Sequence, residues 1–296
     1  MKIIRSHKPD IVHEWENSGL SYGVEVEDTA FGDRLYSWAA AYELSRRNEF
    51  KWKIQVKDTE FPESCFLQFD NTEHISEEEF FNFDGFEEYS KLDFLNAMLY
   101  NDTPPDRCIM SSISFDNLNG ITFKNSAFEE DLRELFAPYV GIHLRRCHGI
   151  NYKRSDLKEL PSDVVDDYLE YSSWGPQDSF PYYKDAQYFV GADSIEGRMY
   201  VSTDLTLKYW YDNWYNRYST RLYEMNAIYT DYKAIVDRHH PGQVFDQRFL
   251  ERMCDFFALA CCKYVITPTK RNTGYYSAWV RAATQIGHNK LELFTV

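Results

Sequence analysis

Short apolar runs alternate along this chain with longer segments in which hydrophobic residues recur every three or four positions. This alternation is typical of α/β folds, in which helices cover a sheet. The pattern predicts strands at 21–26, 52–56, 139–144, 198–202 and 264–267. It predicts helices at 33–47, 87–100, 126–136, 162–171, 182–192, 205–215, 246–262 and 277–287. The acidic, Phe-rich stretch 60–89 is expected to form loops and short elements.

The segment Tyr139–Leu144 has the pattern of a buried parallel strand. It is a short apolar run bounded by Pro138 on one side and by Arg145 and Arg146 on the other. Strands covered on both faces show such runs. We place a domain boundary immediately before it, so that residues 1–137 form an N-terminal domain and residues 138–296 a C-terminal domain.

Composition and charge narrow the functional classes. The 296 residues carry a net charge of −15, and an acidic chain repels the phosphate backbone of nucleic acids. That charge is still compatible with a small anionic ligand in a local basic pocket. The chain contains 23 Tyr, 21 Phe and 7 Trp, which suits clefts that bind sugars or bases, although an aromatic core explains most of them.

Neither a signal peptide nor a membrane span is predicted. Charged residues interrupt positions 1–15, and no stretch reaches the roughly 20 apolar residues that a membrane helix needs. The six cysteines lack zinc-type spacing, and we expect Cys261 and Cys262 to pack as free thiols. These features predict a cytoplasmic protein.

The pair Arg145-Arg146 is the first candidate for chemistry. Because it follows a predicted buried strand, it belongs at the carboxyl end of a sheet, where open α/β sheets bind ligands. Guanidinium groups bind phosphate oxygens bidentately and stay charged. They neutralise a diphosphate leaving group when no metal does so. The alternative is an exposed pair of arginines in a loop.

The string Val140-Gly141-Ile142-His143-Leu144-Arg145-Arg146 resembles the first motif of the fucosyltransferase superfamily, which includes the α1,2-, α1,6- and protein O-fucosyltransferases. The resemblance implies an α/β fold of the GT-B-like type, with two Rossmann-like domains facing each other across a cleft. The N-terminal domain would be on the acceptor side, and the C-terminal domain would bind the nucleotide sugar. His143 would bind the guanine of GDP-fucose and Arg146 the β-phosphate, while Arg145 would have a supporting or structural role. The alternative for His143 is a hydrogen-bonded histidine at the end of a strand.

Two further segments resemble that family more weakly. Phe31-Gly32-Asp33-Arg34-Leu35 is similar to its Gly-Asn-Arg signature, with Asp33 in place of Asn. Arg34 would add positive charge to the cleft, and a surface helix cap is the alternative for both residues. Tyr200 to Asp204 is similar to a strand that ends in Thr-Asp-Asp, with Leu205 at the second acidic position. Asp204 would orient the sugar or an arginine, or cap the next helix.

The C-terminal segments complete the implied site. Asp255 stands where the family has an aspartate that faces guanine, and one carboxylate accepts both N1–H and the exocyclic amine of that base. The alternative is a polar residue on the exposed face of a helix. Ser277 would donate to phosphate together with the first amides of the last helix. Thr273 is a competing phosphate ligand.

The sequence departs from the family after Arg146, where Cys147-His148 replaces Thr-Asp. Residues 149–171 do not match either, so the catalytic base is open, with Asp156 as the candidate and Glu159 nearby. We expect an inverting, metal-independent enzyme that transfers fucose from GDP-fucose to a glycan hydroxyl, without a cofactor. The alternatives are another donor, such as GDP-mannose or a UDP-pentose, and a non-catalytic carbohydrate-binding protein. Adjacent residues such as His239-His240 seldom hold a metal together.

Overall fold

The computed structural model describes residues 2–5, 31–47, 52–57, 62–80, 82, 84–110, 115–144, 192–203, 216–218, 220–222, 225–269 and 278–295. Within it the chain divides into two compact units, Met1–Asn125 and Ser126–Val296. The predicted strand 21–26 and the predicted helices 162–171 and 205–215 lie outside the described residues, as does the predicted helix 182–192 up to residue 191. No helix in the described part of the chain combines the length and the apolar character needed to cross a bilayer.

The N-terminal unit contains a five-stranded parallel sheet in the order β4-β2-β1-β6-β5. Its strands are β1 (Lys2–Arg5), β2 (Trp52–Lys57), β4 (Thr72–Ile75), β5 (Glu87–Tyr89) and β6 (Arg107–Met110). A separate antiparallel pair consists of β3 (Leu67–Phe69) and β7 (Ile121–Phe123). The helices are α1 (Phe31–Arg47), α2 (Glu77–Phe80) and α3 (Lys91–Tyr100), with a 3-10 turn at Pro62–Cys65.

Helix α1 supplies much of the core of this unit and confirms the helix predicted at 33–47. Leu35, Trp38 and Leu44 are fully buried, in keeping with their helical spacing. The indole Nε1 of Trp38 donates to Thr72 Oγ1 at 2.7 Å, and its ring stacks on Tyr42 with centroids 5.0 Å apart. The helix is therefore fixed to the sheet by both packing and a hydrogen bond.

The prediction of one helix over 87–100 was wrong at its start. Residues 87–89 form β5, and α3 begins only after Ser90. The amide of Asp93 donates to Ser90 Oγ, and the amide of Ser90 donates to Asp93 Oδ2 at 2.9 Å. This reciprocal capping box fixes the first turn of α3, and its hydrogen bonds lower the pKa of Asp93.

The C-terminal unit contains a four-stranded parallel sheet in the order β11-β10-β8-β9. Its strands are β8 (Tyr139–Leu144), β9 (Arg198–Thr203), β10 (Val265–Thr269) and β11 (Leu291–Thr295). Its helices are α4 (Ser126–Phe136), α5 (Met225–His239), α6 (Gln247–Cys261) and α7 (Ala278–Ile286), with a short helical segment at Asn216–Tyr218. The predictions for β8, β9, β10, α4, α6 and α7 are confirmed to within two residues at each end.

Helix α4 belongs to the C-terminal unit, although the predicted boundary lies after residue 137. Phe128 packs edge-to-face on Phe257 of α6 with ring centroids 5.7 Å apart. Phe136 packs in the same way on Tyr200 of β9 at 5.6 Å. Such aromatic pairs add to the burial of α4, which explains why the unit begins at Ser126.

Two glycines allow α6 to approach its neighbours closely. A methyl group at Gly141 of β8 would lie 2.9 Å from Cys262 Sγ and 3.2 Å from Leu259 Cδ2. At Gly287, after α7, it would lie 1.8 Å from the carbonyl oxygen of Ala260. Side chains larger than hydrogen do not fit at these contacts, so both glycines fix the position of α6.

The prediction that Cys261 and Cys262 pack as free thiols is confirmed. Cys254, Cys261 and Cys262 are buried free thiols. Burial raises the pKa of Cys262 to about 12 and raises that of Cys261 as well. Because thiolates are the reactive form, these thiols are inert parts of the core.

Candidate functional site at the carboxyl edge of the C-terminal sheet

All four strands of the C-terminal sheet are parallel, so their carboxyl ends meet at one edge. From β8 the chain reaches β9 on one side, and it later returns to β10 on the other side. The order of the strands therefore reverses between β8 and β10. In open α/β sheets, ligands bind outside the carboxyl ends of the strands at such a switch point.

Three buried polar residues lie near this edge, one on each of three neighbouring strands. His143 on β8 is in register with Ser202 on β9. The pairing of Ile142 with Ile266 places Thr267 of β10 on the other side of His143. These three residues, His143, Ser202 and Thr267, are called the edge cluster below, and their exposed fractions are 8%, 3% and 3%. The prediction that His143 lies at the end of a buried strand is confirmed.

The strand register also defines the face that the edge cluster occupies. Residues paired across a parallel ladder share a face of the sheet, and so do residues two positions apart on one strand. Gly141 and Tyr200 are paired two positions before His143 and Ser202. Gly141 lies against the end of α6, and the Tyr200 hydroxyl donates to a carboxylate on α6. The edge cluster is therefore on the face of the sheet that α6 covers.

That carboxylate belongs to Asp255, the predicted guanine-binding residue. The Tyr200 hydroxyl donates to its Oδ1 atom at 2.6 Å, and Tyr200 is itself buried. Asp255 is half-buried and faces the sheet, so the alternative of a residue on the exposed face of the helix is wrong. Burial raises the pKa of the neighbouring Cys254 thiol well above its usual value, so the thiol stays neutral beside the carboxylate.

Helices α6 and α7 both begin near the carboxyl edge. Each helix leads into the next parallel strand, α6 into β10 and α7 into β11, so each runs from the carboxyl edge towards the amino edge. Near the start of α7, Trp279 packs edge-to-face on Phe256 of α6 with centroids 5.2 Å apart. The first amides of a helix form a ready anion site, and α7 presents its own at this edge.

Several predicted site residues lie outside the described residues. They are Arg145, Arg146, Asp156, Asp204, Thr273 and Ser277, together with the alternative base Glu159. The described strands nevertheless lead directly to two of their segments. Strand β8 ends at Leu144, directly before the arginine pair, and β9 ends at Thr203, directly before Asp204.

Arg34 belongs to the N-terminal unit and is not a surface residue. Its guanidinium donates to Glu63 Oε1 at 2.9 Å, with exposed fractions of 7% for Arg34 and 0% for Glu63. The guanidinium also lies 5.8 Å from the centroid of the Phe31 ring. In a buried pair of this kind, each charge neutralises the other. Arg34 is therefore engaged within its own unit, and a role towards a ligand stays a prediction.

The histidine pair at the end of α5 is engaged in packing. His239 Nε2 lies 2.5 Å from Asp131 Oδ2 on α4, and the rings of His239 and His240 pack edge-to-face on Phe128. Arg238 pairs with the same Asp131 carboxylate at 3.0 Å. Within the described ranges, no group of three or more His, Cys, Asp or Glu residues is arranged to hold a metal ion.

Comparisons with models of known protein families, with curated proteins and with solved structures gave no match. Support for a function therefore comes from the arrangement of the residues of this chain. The membership of the fucosyltransferase superfamily that the motifs imply stays a prediction.

Proposed function

We propose that this chain is an inverting, metal-independent glycosyltransferase that transfers fucose from GDP-fucose to a hydroxyl group of a glycan or glycoconjugate. The observation that carries the proposal is the edge cluster, three buried polar residues near the switch point of a parallel sheet, on the face that is covered by α6 with its Asp255. The arginine pair follows β8 directly in the sequence. The segment that comes after this strand therefore begins with two permanent positive charges.

Recognition of guanine is assigned to His143 and Asp255. The imidazole of His143 is buried near the end of β8, and it offers both a donor and an acceptor when neutral. The Asp255 carboxylate accepts the N1–H and the exocyclic amine of guanine, a pair of donors that uracil and adenine lack. The hydrogen bond from Tyr200 orients this carboxylate. Such a pair favours GDP over UDP and ADP.

The transfer step has one bond formed and one broken. The acceptor oxygen attacks the anomeric carbon on the face opposite the diphosphate, while the bond from that carbon to the β-phosphate oxygen breaks and GDP leaves with the electron pair. The acceptor proton passes to a carboxylate, for which Asp156 is the candidate. Arg146 and Ser277 stabilise the charge that develops on the departing diphosphate.

A nucleotide titration tests the choice of donor. We expect calorimetry on the purified chain to give measurable binding of GDP and GDP-fucose, with UDP and ADP at least about tenfold weaker because they cannot satisfy Asp255. GDP-mannose in the same series distinguishes recognition of the nucleotide from recognition of the sugar. Stronger binding of UDP than of GDP would reject the assignment of His143 and Asp255, and no binding of any nucleotide would reject the proposed function.

A turnover assay separates an enzyme from a carbohydrate-binding protein. The enzyme is expected to release GDP from GDP-fucose faster when acceptor glycans are present. A binding protein would retain glycans on an array without releasing GDP. Glycan retention without nucleotide release would therefore favour the non-catalytic alternative.

A further inference from the structure

We propose that Arg252 of α6 is a phosphate-binding residue of the nucleotide site and contacts the diphosphate from the side of the helix. This inference rests on the proposed function and extends its site to a residue that none of the sequence motifs contains. It assigns the diphosphate a second source of positive charge besides the arginine pair that follows β8.

The position of Arg252 follows from contacts further along α6. Residues three, four or seven positions apart lie on the same side of a helix. Leu259 contacts β8 at Gly141, and Asp255 accepts the hydrogen bond from Tyr200 of β9. Arg252 precedes Asp255 by three positions and Leu259 by seven. It therefore belongs to the stripe of α6 that faces the sheet.

The position of Arg252 along the strand direction follows from the rise per residue of helix α6 and of strand β8. Two helical turns carry α6 about 11 Å from Leu259 towards the carboxyl edge. Two strand residues carry β8 about 7 Å from Gly141 to His143. The side chains of a helix also lean towards its N-terminus, which here points to the same edge. Arg252 is thus placed just beyond the edge cluster, where β8 leads into Arg145.

Burial and packing suit Arg252 to hold an anion. The side chain is half-buried with its Nε atom inside the protein, and the guanidinium lies 5.5 Å from the centroid of the Phe249 ring. An aromatic neighbour restrains the planar group, and a guanidinium has the geometry to bind two oxygens at once. In a chain of net charge −15, a diphosphate needs local cations of this kind.

The test compares the binding of ligands that carry no, one or two phosphate groups. Calorimetry compares guanosine, GMP and GDP binding to the full chain, to Arg252→Ala and to Arg252→Lys. We expect Arg252→Ala to weaken GDP binding by about tenfold or more, because a charge-assisted contact is lost, while guanosine binding changes by less than about twofold. Arg252→Lys should fall between the two, because it keeps the charge and loses the bidentate geometry.

The matched control is Arg198→Ala. Arg198 begins β9 at the opposite, amino edge of the same sheet, and its guanidinium lies 4.8 Å from the Tyr139 ring centroid. This variant should bind GDP as the unaltered chain does. An equal loss in Arg198→Ala would show a general effect of positive charge and would overturn the assignment to Arg252.

Two further outcomes would overturn the inference alone. They are unchanged GDP affinity in Arg252→Ala, and a parallel loss of guanosine and GDP affinity, which indicates a structural role. Circular dichroism and Tm establish that each variant is folded, and Arg252→Gln takes the place of Arg252→Ala if that variant is not. If the unaltered chain binds no GDP, the proposed function fails and the inference fails with it.

Discussion

In the N-terminal sheet, strands β4, β5 and β6 end with the buried apolar side chains of Ile75, Tyr89 and Met110. In the C-terminal sheet, β8, β9 and β10 instead carry the polar edge cluster near the same end. Both sheets are parallel. In both, the strand that comes first in the chain lies inside the sheet, and later strands are added on either side of it. The architecture is therefore shared, and these strands differ in the polarity of the buried residues near their carboxyl ends.

This difference supports the proposal that the nucleotide site lies in the C-terminal unit. Buried polar groups destabilise the folded state unless they are hydrogen-bonded. Apolar residues at a buried strand end avoid this loss of stability. Of the buried charges described in the N-terminal unit, Arg34 and Glu63 are paired with each other, and Glu43 is paired with Arg46 on the same helix. In the C-terminal unit three buried polar residues, the edge cluster, lie near the switch point, where open α/β sheets bind ligands. The contrast predicts that stability and activity respond to different substitutions in the two units.

The largest expected effect on stability comes from the buried ion pair of the N-terminal unit. Glu63→Gln leaves the buried Arg34 charge without the Glu63 carboxylate and should lower the free energy of unfolding by about 3–5 kcal/mol. Urea unfolding followed by circular dichroism measures it. Replacing both partners, as in Arg34→Met with Glu63→Leu, should recover much of the loss, because no charge then remains buried.

The control for this prediction is an exposed pair on α5. Lys233 and Asp237 are 2.6 Å apart and both are at least half exposed, so Lys233→Ala should cost at most about 0.5 kcal/mol. GDP binding by the folded Glu63→Gln variant should match that of the unaltered chain. Loss of GDP binding in this variant, under conditions where it is folded, would contradict the separation of roles between the two sheets.

The largest expected effect on activity comes from the arginine pair after β8. Arg146→Ala removes a cation from the departing diphosphate and should lower the rate of fucose transfer by about 10²- to 10³-fold, with little change in the free energy of unfolding. GDP release measured at saturating donor and acceptor tests this. Arg198→Ala, at the amino edge, is the control and should retain full activity.

A substantial remaining rate in Arg146→Ala would indicate that another cation stabilises the departing diphosphate. Arg145→Ala and Arg252→Ala would then show which residue it is. If all three variants keep the activity of the unaltered chain, the placement of the diphosphate at this edge is contradicted.

The elements with strong local patterns could be predicted from the sequence. Helices α1, α6 and α7 have regular apolar spacing, and β8 is a continuous apolar run between Pro138 and Arg145. Helix α5 was missed although its signal was available, since Ile228, Tyr232, Ile235 and Val236 recur at helical spacing and are buried. Strands β1, β5 and β11, with three to five residues each, were missed because they offer few positions in which a period can be recognised.

The candidate site could be predicted only where a motif marked it. His143 and Asp255 were found through the resemblance. Thr267 and Arg252 look like ordinary polar residues in the sequence, and Ser202 was not singled out although it lies in the motif-like segment Tyr200 to Asp204. Their significance depends on strand register and on the course of α6, which bring together residues far apart in the chain. The pairing of Arg34 with Glu63 was missed for the same reason.

The smallest expected effect tests whether Asp255 serves the ligand or only the fold. Tyr200→Phe removes the hydroxyl that donates to Asp255 Oδ1 at 2.6 Å and should lower the free energy of unfolding by about 1 kcal/mol. If the hydroxyl orients the carboxylate for guanine, GDP affinity should fall about two- to fivefold while ADP affinity is unchanged.

Asp255→Asn is the reference for this variant, because its amide cannot accept both donors of guanine. It should reduce the preference for GDP over ADP by about tenfold or more. A purely structural Asp255 predicts a different result, in which both variants lose stability while the ratio of GDP to ADP affinity stays constant. That ratio therefore decides between the two roles, because a change in stability alone is expected from either one. A constant ratio would leave His143 as the base-binding residue and would confine the nucleotide site to the switch point itself.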